Sequence, residues 1–246
     1  MKRILSFAAF ILFCINISGQ SVESVKKTYP LKASGNIQLT NNGISLFPNL
    51  SLGKPATIIN LNLSKYNFAL EPELRWGLNG DPWSFIFWVR YRFNKNKFQL
   101  RLGAHPSYVF KEQKVGIDNG LNNRLISTAY FAAEIAPAWQ FNQKFGFGLH
   151  YLHAEARDNY GAQSNNFIAI QPRFTNLYAG EKYYFNFYPQ VFYLQIDAND
   201  GFYASQTLTF NKVNFPLYFS GVATYALKTT IPGDRFVWSL GINLKF

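Results

Sequence analysis

Charged side chains recur at every second position in two neighbouring stretches, Glu71, Glu73 and Arg75, then Arg90 and Arg92. In an extended chain a two-residue period puts side chains on one face, so each set shares a face and apolar residues take the other. Arg101, His105 and Glu134 lie on nearby stretches and extend the set. Carboxylates interleaved with guanidinium groups can pair off and fill an interior, because unpaired buried charge is costly, or they can line a passage and sort charged solutes. The Glu–Arg pairing leaves no obvious vacant binding charge.

His105-Pro106-Ser107 invites an enzymatic reading, because His-x-Ser places a base and a nucleophile on one face. Such a pair needs a third group to orient the histidine, and Glu134 is the candidate. Leu100, Leu102, Ala104, Pro106 and Tyr108 occupy the apolar face, however, and aim His105 and Ser107 to the other side. His150 and His153 are three apart, so a regular strand sends them to opposite faces and they cannot ligate one metal. Glu71 and Glu73 have same-face spacing, but Arg75 beside them favours ion pairing over acid–base work. No metal site, phosphate loop or cofactor is expected.

These residues must be carried by strands. From residue 44 onward the sequence breaks into segments bounded by Gly, Asn, Asp, Lys and Pro, many alternating apolar with polar residues. In the last segment Phe236, Trp238, Leu240, Ile242, Leu244 and Phe246 share one face; in another, Phe68, Leu70, Pro72, Leu74, Trp76 and Leu78 do. The spacing predicts strands near 44–53, 57–64, 68–78, 83–94, 98–110, 126–141, 145–157, 165–178, 182–197, 202–211, 215–228 and 235–246. Many exceed the usual five or six residues of globular sheets and approach the ~9–11 that cross a bilayer at a tilt. Aromatic residues gather at their ends, as the headgroup level favours. The expected fold is all-β, an antiparallel up-and-down transmembrane barrel of about twelve strands, with ten or fourteen as alternatives; a soluble sandwich also alternates and stays open. With the C-terminus at the periplasmic side, connections of about three residues fall at one end. The longer 111–125 and 158–164 fall at the other.

The composition agrees. Charged residues are 15% of the chain, against about 25% in soluble domains, so much of the surface faces something other than water. Mean hydropathy is nevertheless −0.10, and past residue 20 no apolar run is long enough for a membrane helix. Residues 1–19 read as an export leader: Lys2 and Arg3, an apolar core from Ile4 to Ile17, then Ser18 and Gly19 before Gln20. Cys14, the only cysteine, lies inside it, so the mature chain has no thiol chemistry. Without the leader, 22 basic residues remain against 13 acidic ones. They are scattered without a nucleic-acid motif, which fits contact with lipid headgroups or lipopolysaccharide phosphates. The stretch 31–40 is strand-like, but an even strand number assigns 20–40 to a periplasmic or lumenal segment and 41–246 to the barrel.

The leader and the terminal Trp238-Ser239-Leu240-Gly241-Ile242-Asn243-Leu244-Lys245-Phe246 resemble those of bacterial outer-membrane β-barrel proteins. Richness in Asn, Lys, Phe and Tyr, and the Gln opening the mature chain, are similar to exported proteins of Bacteroidetes. The resemblance implies outer-membrane residence among lipids and lipopolysaccharide, and assembly by the barrel-assembly machinery with Phe246 as the terminal signal. The His-x-Ser spacing is similar to that of outer-membrane phospholipase and lipid A deacylase barrels, in which the pair faces lipid. The expected role is therefore a non-enzymatic narrow pore for small polar solutes, or an envelope component, with a charged lumen. A lipid-modifying acyl hydrolase and a surface adhesion or assembly partner using the outer loops are the alternatives; loop 111–125 could also fold inward to narrow a pore or bind lipopolysaccharide or a partner.

Overall fold

The computed structural model describes residues 29–117, 120–159 and 161–246. The expected leader and residues 20–28 lie outside the described residues. Twelve antiparallel strands follow one another around a closed barrel: β1 (Lys32–Thr40), β2 (Ala56–Lys65), β3 (Phe68–Gly77), β4 (Pro82–Lys95), β5 (Phe98–Ile117) and β6 (Gly120–Gln140), then β7 (Phe145–Ala156), β8 (Ser164–Ala179), β9 (Tyr183–Ile196), β10 (Asn199–Lys212), β11 (Leu217–Thr229) and β12 (Phe236–Lys245). Among the described residues there is no α-helix, only a 3-10 turn at Pro48–Leu50.

Alternation decides which side each residue faces. Along β12, Phe236, Trp238, Leu240, Ile242 and Leu244 are exposed on the outside, while Ser239 and Asn243 are buried within. β3 repeats this, with Phe68 and Leu70 outside and Glu71, Glu73 and Arg75 inside. At the end carrying the short turns, rings meet across strands: Phe68 with Tyr91 at 5.0 Å, Phe98 with Trp139 at 5.3 Å, Phe145 with Phe174 at 5.2 Å. Trp76 with Phe85 and Tyr193 with Phe202 pair toward the opposite end. An apolar band between two aromatic girdles is what a bilayer demands of a barrel's outer face.

The strand number agrees with expectation, but one member differs. The segment 31–40 was expected outside the wall; β1 instead stands between β12 and β2, with Ile37 paired to Leu244 and Ile59. Without it both neighbours would present unpaired edges to lipid. The expected strand at 44–53 is absent from the wall. Its adjacent Leu46 and Phe47 break the alternation, Pro48 cannot donate to a ladder, and the segment turns into the lumen. The expected loop 111–125 is a hairpin in which β5 and β6 stay paired from Phe98↔Trp139 to Ile117↔Gly120, so the longest connection is 41–55.

The barrel closes where its first and last strands meet. Gly35 and Phe246 exchange backbone hydrogen bonds of 2.8 and 3.1 Å, and the Phe246 ring covers Gly35 so closely that a Cβ there would strike it. An aromatic ring laid over a strand glycine is a recognised way of pinning a pair of strands.

Prolines interrupt the wall in a regular way. The β2–β3, β4–β5 and β6–β7 ladders each skip two residue pairs, around Pro72, Pro106 and Pro137. The β8–β9 ladder skips three pairs between Ile170↔Val191 and Phe174↔Phe187, and the continuing register sets Pro172 opposite Pro189. A proline in a bonded pair removes one donor and with it two bridges; opposing prolines remove both bonds and three bridges. Replacing Pro172 and Pro189 together by Val is expected to restore two ladder bonds and stabilise the barrel by about 1–3 kcal/mol. The check is the urea midpoint of unfolding in detergent, read by gel mobility; an unchanged or lower midpoint would contradict the assignment.

Candidate lumenal site

The in-turned segment packs its apolar side chains against the inner wall. Phe47 joins Trp88, Leu152, Phe167, Phe192 and Leu194 in a buried cluster, with Leu46 and Leu50 against it. Trp83 Nε1 donates to the Leu50 carbonyl at 2.8 Å, Ser45 N donates to Ser51 Oγ at 2.9 Å, and Gly43 N donates to the Lys54 carbonyl at 2.8 Å. The upper lumen is thus partly filled by the protein's own chain.

Below this cluster lie the predicted charges. The Glu134 carboxylate has no exposed side-chain surface and is held by Arg90 Nε at 2.7 Å, Arg101 Nε at 2.8 Å and His150 Nε2 at 2.9 Å. Glu71 pairs with both Arg90 and Arg92, and Asn62 Nδ2 donates to its Oε1 at 2.5 Å. Arg90 therefore bridges the two glutamates, while its guanidinium lies 4.0 Å from the Trp88 ring. Glu73 and Arg75 form a separate pair, with Arg75 over Trp83 at 4.8 Å. Gly103 makes room for the bridge, since a Cβ there would lie 3.0 Å from Glu134 and 3.1 Å from Arg90.

Every predicted charge faces inward, but His105 does not enter the ion pairs. It is buried with its ring edge-on to Trp88, 4.1 Å between centroids. Ser107 is buried beside it. The group expected to orient His105, Glu134, is bonded to Arg90 and His150 instead. His150 and His153 do take opposite faces: His150 reaches Glu134 inside, and His153 meets Asn166 and Glu155 outside. Among the described residues no group of His, Cys, Asp or Glu could hold a metal.

Sequence reasoning missed three lumenal residues. His150 was weighed only as a metal ligand. Arg173 lies against Gly148, where a Cβ would sit 3.0 Å from its Nη2, and no ion pair is formed by it among the described residues. Lys245 Nζ donates to Asn211 Oδ1 at 3.2 Å and lies 4.3 Å from the Tyr218 ring. The glycines at 103 and 148 were the available signal, since a glycine inside a strand often marks a close approach.

The open space beside this network has walls of mixed character, with Ile44, Ile58, Phe192 and Val222 among polar side chains. A cavity of about 570 Å³ runs between the in-turned segment and the wall, lined by Gln38, Thr40, Gln190, Ser205, Thr207 and Arg235 among others. Another, of about 300 Å³, is lined by Asn36, Asn60, Asn62, Glu71 and Arg90.

A closed antiparallel barrel with an apolar outside, a polar inside and an in-turned segment defines the class: the outer-membrane porin fold. Solved structures agree. The KdgM porin in complex with disordered oligogalacturonate aligns over 87% of this chain and 99% of its own, at 7% identity and a TM-score of 0.56. The NanC porin aligns over 86% and 98%, at 12% identity and a TM-score of 0.52. An outer membrane channel from Pseudomonas putida aligns over 92% and 99%, at 12% identity and a TM-score of 0.50. The likeness is one of fold. No family model matches the chain, and no curated protein does.

The network yields a direct test. Glu134→Ala would leave Arg90 with Glu71 alone and Arg101, a third exposed, without a counter-charge, at a cost below the about 3–5 kcal/mol of breaking a fully buried pair. The folded band of the variant is expected to convert at a clearly lower temperature in a heat-modifiability gel; an unshifted transition would show that the network contributes little to stability.

Proposed function

We propose that this chain is a non-enzymatic channel of the bacterial outer membrane, passing small polar solutes and favouring anions. One observation carries the reading: the lumenal carboxylates Glu71, Glu73 and Glu134 are outnumbered by Arg75, Arg90, Arg92, Arg101, Arg173 and Lys245. Rings of basic side chains favour anions in pores. The in-turned segment 44–53 narrows the lumen and leaves as the route the cavity beside it, where Gln38, Thr40, Gln190, Ser205 and Thr207 offer hydroxyl and amide groups. Solutes there would exchange hydration for side-chain hydrogen bonds, as small polar molecules can.

The same reading has the chain exported through a cleaved leader at residues 1–19 and inserted by the barrel-assembly machinery, with Phe246 as the terminal signal. The clasp of Phe246 over Gly35 supports a role for that residue in closure. Lipid and lipopolysaccharide are the surroundings of the apolar band. The acyl-hydrolase alternative finds no support in the geometry, because His105 and Ser107 face inward and, among the described residues, no carboxylate is hydrogen-bonded to the His105 imidazole.

Planar-bilayer recording of the purified, refolded barrel tests the proposal. Under a potassium chloride gradient the reversal potential is expected to show chloride preferred over potassium. Arg173→Glu combined with Lys245→Glu is expected to weaken or reverse that preference without abolishing conductance. Cation preference in the unaltered protein would overturn the anion reading, and a non-conducting barrel would leave an envelope structural role.

A further inference from the structure

One outward residue breaks the rule that sorts the wall. Ser205 and Thr207 line the lumenal cavity, so Gln206 between them points the other way and is exposed on the lipid side. It stands midway along β10, four residues from Phe202 and four from Phe210. Those rings belong to opposite girdles, Phe202 meeting Tyr193, and Phe210 meeting Tyr183 and Phe185. Each lies about 13 Å from Gln206 along the strand, too far for a glutamine side chain to carry its amide to the headgroups. The cross-strand neighbours Pro189 and Ala223 offer no polar side chain. Among the described residues the Gln206 amide has no hydrogen-bond partner. An unpaired amide in hydrocarbon is costly, and lipid tails carry no group at that depth to satisfy it.

The surroundings are shaped for a protein surface. Gln206 lies in an outer groove of about 440 Å³, over the small side chains of Pro172, Pro189, Ala204 and Ala223 and beside the exposed rings of Tyr225 and Phe236. Small side chains let membrane-embedded backbones approach closely. Facing sheets stand about 10 Å apart, a span that two glutamine side chains can bridge end to end. An amide both donates and accepts, so it is its own complement, whereas a charged partner would have to bury its charge in lipid. A second copy inserted the same way brings its own Gln206 to the same depth, and a two-fold axis along the membrane normal sets the two amides face to face. We propose that this face joins two copies of the chain side by side in the membrane, the Gln206 amide of each hydrogen-bonded to that of the other. The pairing needs a bilayer but no conduction, so it and the anion reading fail by different results.

Energy transfer between donor- and acceptor-labelled barrels in liposomes tests this. Cys14→Ser and Glu181→Cys in the full chain leave one thiol for the label, in a short turn, whether or not the leader is removed. With Gln206 in place, transfer is expected to rise linearly with the acceptor fraction, as a dimer requires, and to fall when unlabelled barrel is added in excess. Gln206→Leu puts an ordinary lipid-facing residue on the wall; it is expected to fold, by gel mobility, and to associate about five- to tenfold more weakly, the ratio one hydrogen bond supplies. Ala223→Phe fills the groove and is expected to weaken association as well; the Gln206→Leu comparison stands even where this second variant does not fold. Chloride flux through the same liposomes separates the two readings: pairing without flux counts against the channel alone, and flux without pairing against the dimer alone. Absence of specific transfer at every protein-to-lipid ratio, as expected if an acyl chain or a different protein covers the groove, overturns the proposal. So does association that Gln206→Leu leaves unchanged, or a curved acceptor dependence that marks larger assemblies.

Discussion

In the hydrocarbon layer no water is available to a backbone N–H or C=O, so each must find its partner within the protein. A sheet can meet that demand only by closing on itself, and here closure depends on β1 meeting β12. The contact between the first and last strands runs from Asn36↔Lys245 to Thr40↔Gly241 and is extended by the Gly35–Phe246 bonds. The other features follow from it. An even strand number sends both wall termini to the side with short turns, long connections gather at the opposite end, and the period of two then sorts every side chain to lipid or lumen.

Closing twelve strands creates a second problem, because the interior is wider than short side chains can fill. A barrel of about eight strands is just filled by its own residues. This protein fills its upper lumen by turning 44–53 inward, where Phe47, Leu46 and Leu50 complete an apolar cluster that the wall supplies from Trp88, Leu152, Phe167 and Phe192. Lower down it fills the space with paired charge. Glu134 is fully covered by three cationic or imidazole groups, which is the arrangement that makes a buried carboxylate tolerable.

Much of this was legible in the sequence because a membrane wall writes itself in a simple period. The last strand and β3 alternate without a fault, and the parity of Glu71, Glu73, Arg75, Arg90 and Arg92 placed them inside before any contact was known. The exchange of 31–40 for 44–53 was not legible. Both segments contain apolar residues bounded by turn formers, and strand-number parity alone cannot say which of two such segments is left out. The hairpin beyond residue 110 was obscured by Lys111, Glu112 and Lys114, which read as loop chemistry; once β5 and β6 leave the bilayer, polar residues can continue a ladder at no penalty. The partners of Glu134 were hidden for another reason. Cross-strand neighbours depend on register, and Arg90, Arg101 and His150 reach it from three strands whose registers no local pattern reveals.

The prolines tie the wall to the charges. Each interruption leaves backbone oxygens short of a donor in the ladder, and each is spanned on the inner side by a side-chain contact between the same two strands. Asn62 donates to Glu71 across the β2–β3 gap. Trp88 and His105 meet edge to face across β4–β5, and His150 reaches Glu134 beside the β6–β7 gap. Gln171 donates to Gln190 at 2.7 Å across β8–β9. All four gaps fall in hairpins closed by short turns, while the β3–β4, β5–β6, β7–β8 and β9–β10 ladders carry no proline gap. The lumenal polar residues therefore serve the wall as well as the interior. That double duty explains why His105 sets its ring edge-on to an indole instead of joining the ion pairs: its position beside Pro106 makes it part of a seam, and a ring across the seam holds two strands that their backbones do not.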